Sequence, residues 1–374
     1  MKKSLIALAA LGAFAGAASA QSSVTLFGIV DTGVRAVKNG DGSTVKSLTN
    51  DGLATSRIGF RGEEDLGAGL KAGFWLEAGL GLDTGAGGNG ASGVTAAKFF
   101  GRRSTVSLLG PFGEFRAGRD YVPTFSNLSA FDIYGAVGVG NILNLVNAAG
   151  LTTGAVGFTG ALGSGAGTIV RADNSIAYFL PRNIGGVYGS VMAAAGEGTN
   201  TTNGNNRYVG GRIGWAGGPV NVAAAYGRTR IPGNDDFRVW NVGAAYTLPV
   251  VKLTAMYHRA DYEPAGLANR SLKVWAVGVN VPLGLSEIRA TYGRADMGGG
   301  TLVGLRNEDD ARQVAIGYVY NLSKRTAVYA DLGRIQNKGL SQLAIPGGTT
   351  TGSGFGTVAD RNSTALAVGV RHSF

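Results

Sequence analysis

The chain ends in Ser363-Thr-Ala-Leu-Ala-Val-Gly-Val-Arg-His-Ser-Phe374, and two sets of residues alternate through this stretch. Thr364, Leu366, Val368, Val370, His372 and Phe374 fall on one side, with Ala365, Ala367, Gly369, Arg371 and Ser373 on the other. A repeat of two is that of a β-strand with one greasy face and one small or wet face. It does not fit the 3.6 repeat of an amphipathic helix. Taken alone, the stretch leaves open whether the greasy face meets the core of a soluble sandwich or lipid.

Similar segments recur along the chain. The pattern predicts strands over 23–37, 54–64, 70–81, 99–109, 114–119, 175–180, 186–196, 206–216, 220–228, 237–248, 251–261, 271–281, 286–294, 311–320, 326–335 and 362–374, sixteen in all. Short connections rich in Gly, Pro or Asn (65–69, 110–113, 181–185, 217–219, 249–250, 282–285, 322–325) alternate with longer polar ones (38–53, 82–98, 120–174, 197–205, 262–270, 295–310, 336–361). An even number of strands of about ten residues, with tight turns at one rim and long loops at the other, describes an all-β transmembrane barrel. The expectation is a 16-stranded antiparallel up-and-down barrel with periplasmic turns and extracellular loops. Closure would pair the last strand with 23–37 and leave no edge for lipid to penalise.

Aromatic residues follow the same parity. Phe60, Tyr178, Trp215, Tyr226, Trp240, Tyr246, Tyr257, Trp275, Tyr292, Tyr318, Tyr320 and Phe374 share the side of the aliphatic residues of their own strands. Several lie near strand ends, where interfacial girdles would put them. A soluble sandwich would need sixteen strands in two large sheets, and it gives no reason for two unequal rims.

Lys2 and Lys3, an apolar run from Leu5 to Ala18 and Ala18-Ser-Ala20 have the order of a secretory leader, so 1–20 is expected to be cleaved and 21–374 to form one domain. The run is short of the ~18 residues of a spanning helix, and no second run approaches that length, which excludes a helical membrane bundle. Cysteine is absent, so an exported chain of this size must rely on its hydrogen-bonded sheet. Glycine supplies 64 of 374 residues, far above the usual ~7%, which suits a curved sheet with many turns better than helices. The formal charge of +10 points to ionic partners, and export sets nucleic acid aside.

Four stretches carry a family resemblance: Ser23-Val-Thr-Leu-Phe-Gly28, Ser56-Arg-Ile-Gly-Phe-Arg-Gly-Glu-Glu-Asp-Leu-Gly-Ala-Gly-Leu-Lys-Ala72, Gly118-Arg-Asp-Tyr121 and Val370-Arg-His-Ser-Phe374. With them the chain resembles the general, non-specific porins of the Gram-negative outer membrane, in particular their beta-proteobacterial branch, over essentially the whole mature length. The resemblance implies a cell outer membrane location and a water-filled channel for passive diffusion of small hydrophilic solutes and ions. It also implies a homotrimer among outer-membrane lipid and lipopolysaccharide, and a C-terminal Phe374 read by the barrel-assembly machinery. The third long loop, 120–174, would fold into the lumen and bring Tyr121, Asp132 and Tyr134 to a constriction. One departure bears on selectivity. The acidic Pro-Glu-Phe-Gly-Gly stretch of the enteric proteins is missing, and only Asp120, Asp132 and Asp173 are acidic between 120 and 174.

Parity assigns the lumen. With Ile58 and Phe60 toward lipid, Arg57, Gly59, Arg61 and Glu63 turn inward; with Val106 and Leu108 outward, Arg103, Thr105 and Ser107 turn inward. Arg102 then has the wrong parity unless a bulge intervenes. Arg116 faces in, and Arg119 stands at the bend into the long loop, where the resemblance implies a constriction-lining arginine. Asp31, Arg35 and Arg371 share lumen parity. The expected positive wall is therefore Arg57, Arg61, Arg103 and Arg119, with Arg35, Asp31, Arg102 and Arg116 as further lumen residues. Arginine stays charged at any working pH, and a ring of guanidinium groups attracts anions and repels cations. The plainer alternative is that these are ordinary solvated residues of a wide lumen.

Two other functions compete: a solute-specific porin with a saturable site in the inward loop, and an outer-membrane barrel hydrolase. The hydrolase needs a histidine beside a reactive serine, whereas His258 and His372 both read as structural. Gly85-Ala-Gly-Gly-Asn-Gly90 lies in a polar loop with no helix after it and does not read as a nucleotide site. No enzyme activity, cofactor or metal is expected. Ile142-Leu-Asn-Leu-Val-Asn-Ala148 reads either as a short helix in the inward loop or as its hydrophobic pin to the wall.

Overall fold

Antiparallel pairing runs unbroken from the first strand to the last and back to the first. The computed structural model describes residues 23–40, 44–87, 98–146, 168–182, 184–196, 207–231, 235–263, 269–299, 309–339, 341, 343–346 and 362–374. The expected leader, 1–20, lies outside them. In chain order the strands are β1 (Ser23–Lys38), β2 (Thr44–Asn50), β3 (Arg57–Gly67), β4 (Leu70–Gly81), β5 (Ala86–Gly87), β6 (Arg103–Gly110) and β7 (Gly113–Tyr121). Helices α1 (Pro123–Phe131) and α2 (Leu143–Val146) follow, then β8 (Arg171–Phe179), β9 (Val187–Ala194), β10 (Arg207–Gly217), β11 (Val220–Ile231) and β12 (Asp235–Leu248). The barrel is completed by β13 (Val251–Glu263), β14 (Arg270–Leu283), β15 (Ser286–Gly299), β16 (Asp309–Asn321), β17 (Thr326–Asn337) and β18 (Ser363–Ser373).

β18 closes on β1 from Ile29↔Ser373 to Lys38↔Thr364. On its other side β1 pairs with β2 through Thr32–Lys38 and with β3 through Ser23–Ile29, so β2 and β3 are two lengths of one stave. β5 adds only a two-residue bridge to β4. The eighteen strands thus make a closed barrel of sixteen staves, as the periodicity predicts. The connection expected over 38–53 is a correction, because it contains β2. The polar Thr44-Val-Lys-Ser-Leu-Thr-Asn50 shows no greasy alternation, its exposed Val45 and Leu48 being three residues apart, so counting by two does not find it. Similarly β6 starts at Arg103 rather than 99, and β8 begins at Arg171, inside the stretch expected to be loop.

Alternation is explicit in β17, where buried and exposed residues alternate along the strand. Outward positions hold exposed Val24, Val106, Ile213 and Leu366, while inward ones hold buried Ala177, Ala223, Ala276, Ala295, Ala315 and Ala327. Small inward side chains leave room for the connection between β7 and β8 to enter. In α1 Pro123 occupies the first turn, where its missing N–H costs nothing. Pro123, Thr124, Asn127, Leu128 and Phe131 then form one buried face. That face lies on β9–β13, and Phe131 sits over Gly243, where a Cβ would come within 2.1 Å of its ring. Ile142 and Leu145 are buried against β14 and β15, so this segment is both a short helix and a pin.

The chain end is part of the closure. Gly28 N–H donates to a carboxylate oxygen of Phe374, the last residue, and Phe374 N–H to the Gly28 carbonyl, both at 3.0 Å. The Phe374 ring covers Gly28, where a Cβ would lie 2.3 Å from it. Gly28→Leu should therefore displace the ring and lower the yield of heat-modifiable, folded barrel on cold gels. Wild-type yield would show that the ring position is not needed for closure.

Candidate functional site

Two cavities lie in the lumen on either side of α1. The one toward the long loops, about 600 Å³, is lined by Arg57, Arg102, Tyr121, Phe125, Ser126 and Arg171, among others, with no carboxylate in its wall. The one toward the short turns, about 670 Å³, is lined by Lys71, Arg103, Arg116, Arg182 and Arg212, with Glu63, Glu114 and Asp120 among its acids. Tyr121 and Ser126 line both, so the passage between them runs past these two residues.

The cations are held individually. Arg102 precedes β6, so strand parity does not constrain it. It turns inward, donating from Nε to Glu77 Oε1 at 2.5 Å and from Nη2 to Tyr121 Oη at 2.7 Å. Arg171 donates to the same hydroxyl at 2.8 Å and to the Arg102 carbonyl at 2.8 Å, and lies 4.4 Å over the Tyr121 ring. Arg57 donates to the Thr55 carbonyl at 2.8 Å and reaches Glu77 at 3.4 Å. Two guanidinium groups therefore share one buried carboxylate while Arg171 has none, and a local excess of positive charge faces the upper cavity.

On the short-turn side, aromatic rings take over the positioning. Arg61 stands 5.4 Å from the Phe27 ring and 5.1 Å from Trp75, and Arg103 lies 4.5 Å over the same indole. Arg116 packs 4.1 Å over Phe179, its fork on Glu114 and its Nη1 2.5 Å from Asp120. Arg212 packs 4.8 Å over Tyr188. A ring face attracts a guanidinium without neutralising it, so Arg61 and Arg212 keep their charge for the lumen, whereas Arg116 is paired with Glu114 and Asp120, and Arg103 shares Asp120 at 3.7 Å.

Arg119 sits elsewhere than expected. It pairs with Ser104, in the row alternating with inward Thr105, on the side taken by Val106, Ala117 and Phe115. A bulge between Gly118 and Asp120 shifts the register to β8 there, and pairing resumes at Asp120↔Ala172. Arg119 donates to the Gly101 carbonyl at 2.7 Å and to Asp173 at 2.7 Å, and Lys98 also contacts Asp173. Asp31 and Arg35 have the expected lumen parity but serve structure. The Asp31 carboxylate accepts from the N–H groups of Gly52, Leu53 and Ala54 and from Tyr329 Oη, while Arg35 donates to the Pro346 carbonyl.

The inward loop is fixed to the wall by polar anchors. Asp132 accepts from the N–H groups of Tyr134, Ala136 and Ile142 at 3.1, 2.9 and 3.1 Å. Burial raises its carboxyl above the ordinary carboxylate range, against the pull of those donors and Arg289. Tyr134 is buried, with its ring 4.1 Å from the Arg289 guanidinium, and Arg289 is bidentate on Asp331. Gln313 holds the carbonyls of Gly140 and Asn141, and Asn241 binds Asn127 of α1. Asp132 thus belongs to the inward loop but faces the wall; Tyr134 packs on Arg289 of the wall and also lines the upper cavity, as does Tyr121 at the end of β7, which borders the passage. His258 is buried beside Asn241, and His372 meets Thr326 Oγ1 at 2.9 Å.

Sequence reading missed Arg171, Arg212, Trp75 and Glu77. Parity along 70–81 would have turned Trp75 and Glu77 inward. Arg171 was hidden in a stretch read as loop.

The family model for the Gram-negative porin matches residues 7–340. The chain belongs to the Gram-negative porin family. It is 39% identical to outer membrane porin protein 32 of Delftia acidovorans across the full length of both chains. It resembles the solved anion-selective porin from Comamonas acidovorans with a TM-score of 0.78 and 34% identity, over 95% of this chain and 100% of that one. OmpT of Vibrio cholerae, solved in a trimer form, shares the fold at a TM-score of 0.64 with 16% identity, over 94% and 99% of the two chains. The porin is thus an outer-membrane channel, and its family and fold are those of channels rather than enzymes. Its long loops mark the extracellular rim.

Proposed function

We propose that this porin is an anion-preferring homotrimeric channel for small hydrophilic solutes, with no chemical step. Its filter is the arginine cluster of Arg57, Arg102 and Arg171 above the passage and Arg61, Arg103 and Arg116 below it. The observation that carries the reading is the upper cavity, lined by three arginines and no carboxylate. At an effective dielectric near 20, a unit charge 4 Å from an ion is worth roughly 4 kcal/mol, against about 1 in bulk water. The selectivity named for the Comamonas relative and the trimer form of the Vibrio relative support the same reading. The mature protein begins after the leader 1–20, Phe374 is the signal for the assembly machinery, and lipopolysaccharide is among the surrounding lipids.

Arg57→Ser and Arg61→Ser, made singly, should each lower the chloride-over-potassium permeability ratio by about two- to threefold, as expected for one partly screened charge. Zero-current potentials in a KCl gradient measure the ratio. An unchanged ratio in both variants would remove these residues from the filter.

A further inference from the structure

One hydrogen-bond donor at the passage is not used inside the protein. Tyr121 ends β7 and is the cross-strand partner of Arg171. Its hydroxyl oxygen accepts from Arg102 Nη2 at 2.7 Å and from Arg171 Nη2 at 2.8 Å. A guanidinium has no lone pair to offer, so the direction of both bonds is forced and the phenol's own proton is left over. Among the described residues no acceptor takes that proton. The ring that carries it is fixed. It stacks on Phe125 with centroids 5.1 Å apart and an interplanar angle of 18°, and the Arg171 guanidinium lies over it. Two cationic donors draw charge from the phenol oxygen, which strengthens its O–H as a donor in turn.

The surroundings give this proton a use. Tyr121 lines both lumen cavities. The upper one is also lined by Leu53, Phe125, Val137, Leu143 and Val170, all half-buried. An ion in this cavity gives up water toward the apolar residues, and hydrogen bonds from the wall must replace what it loses. Guanidinium charge alone attracts every monovalent anion. A fixed donor discriminates, because it restores most to an anion that holds its water tightly, such as chloride, and least to one that holds it weakly, such as thiocyanate.

We infer that the Tyr121 hydroxyl donates a hydrogen bond to the anion in the passage and so favours small, strongly hydrated anions over large, weakly hydrated ones, a role that rests on the anion-preferring reading above. Arg102 and Arg171 supply the charge and hold the hydroxyl oxygen between them. The hydroxyl then supplies direction.

Zero-current potentials across a planar bilayer test this, with KCl on one side and KSCN on the other, alongside a plain KCl gradient. Wild type should pass chloride at least as well as thiocyanate. Tyr121→Phe should raise the thiocyanate-over-chloride ratio by about threefold, as expected for the net loss of one hydrogen bond. It should still prefer chloride to potassium, because Arg102 keeps Glu77 and Arg171 keeps the Arg102 carbonyl. Phenylalanine preserves the ring stack, so the barrel should assemble. Tyr178→Phe, which removes a hydroxyl bonded to the Phe112 carbonyl and lies on the outer face, should match wild type in both ratios. An unchanged thiocyanate-over-chloride ratio in folded Tyr121→Phe would overturn the inference. So would a fall in the chloride-over-potassium ratio alone, which would reduce the hydroxyl to a support for the two arginines. A wild-type preference for potassium would instead sink the filter reading itself. Should Tyr121→Phe fail to assemble, wild type decides, since thiocyanate passing more readily than chloride would mean that no donor offsets the lost water.

Discussion

Asp132→Ala should give the largest rise in single-channel conductance of any substitution in the inward loop, with a barrel that still closes. The Asp132 side chain holds three backbone N–H groups, those of Tyr134, Ala136 and Ile142, in a buried turn. Removing it leaves three donors without acceptors, at about 1–3 kcal/mol each before relaxation. The turn connects α1 to the segment whose Ile142 and Leu145 pin the loop to the wall, so the loop loses its shape between its two attachment points. Asp132→Asn offers a graded comparison. Ala136 and Ile142 share Oδ2, which a single amide oxygen can replace, while Tyr134 uses Oδ1. Asparagine should therefore fall between wild type and alanine. Planar-bilayer conductance and cold-gel mobility read the two effects separately. Unchanged conductance in a folded Asp132→Ala barrel would mean that the loop does not narrow the passage.

Arg57→Ser/Arg171→Ser should abolish anion preference in the upper cavity. Arg57 and Arg102 share the Glu77 carboxylate, Arg171 beside them is held by Tyr121 Oη and the Arg102 carbonyl, and the substitutions leave Arg102 paired with Glu77 at 2.5 Å. The local excess then falls to zero without exposing an unpaired acid. Two charges about 8 Å from a permeant ion, with an effective dielectric near 20 and a Debye length of about 8 Å, sum to roughly 1.5 kcal/mol, or about tenfold in the chloride-over-potassium ratio. Arg102→Ser should act differently, since it strips Glu77 of its closest partner and leaves a buried carboxylate held only by Arg57 and the Trp75 indole N–H. Loss of folded protein should accompany that change, whereas the double variant should fold. Zero-current potentials on the double variant check the prediction, and a wild-type ratio would place the selectivity elsewhere in the lumen.

The parts of this molecule legible from sequence are those where two solvents impose a rule. Hydrocarbon outside and a small-residue interior fix the period of two in β17 and β18, so staves, closure and the inward direction of Arg57, Arg61, Arg103 and Arg116 could all be read by counting. Legibility ends where the rule lapses. β2 shows no alternation. Arg102 precedes its strand and escapes parity altogether. Arg119 follows the outward parity of its row, and its nearness to a loop did not bring it into the lumen. The inward loop obeys neither period over its length. α1 buries Thr124 and Asn127 beside Leu128 and Phe131, because its wall side meets polar barrel residues such as Asn241. Asp132 and Tyr134 are anchored by partners at 142 and 289 that lie too far along the chain for a sequence pattern to show, and of the two only Tyr134 lines the upper cavity.

The central claim is that guanidinium charge at the passage sets which ion crosses. The most direct test is the zero-current potential of wild-type porin in a planar bilayer under a KCl gradient, repeated at low and high mean salt. A potential with the sign of chloride permeation, shrinking as salt shortens the Debye length, is the predicted result. A potential of zero at low salt, or one with the sign of potassium permeation, would contradict it.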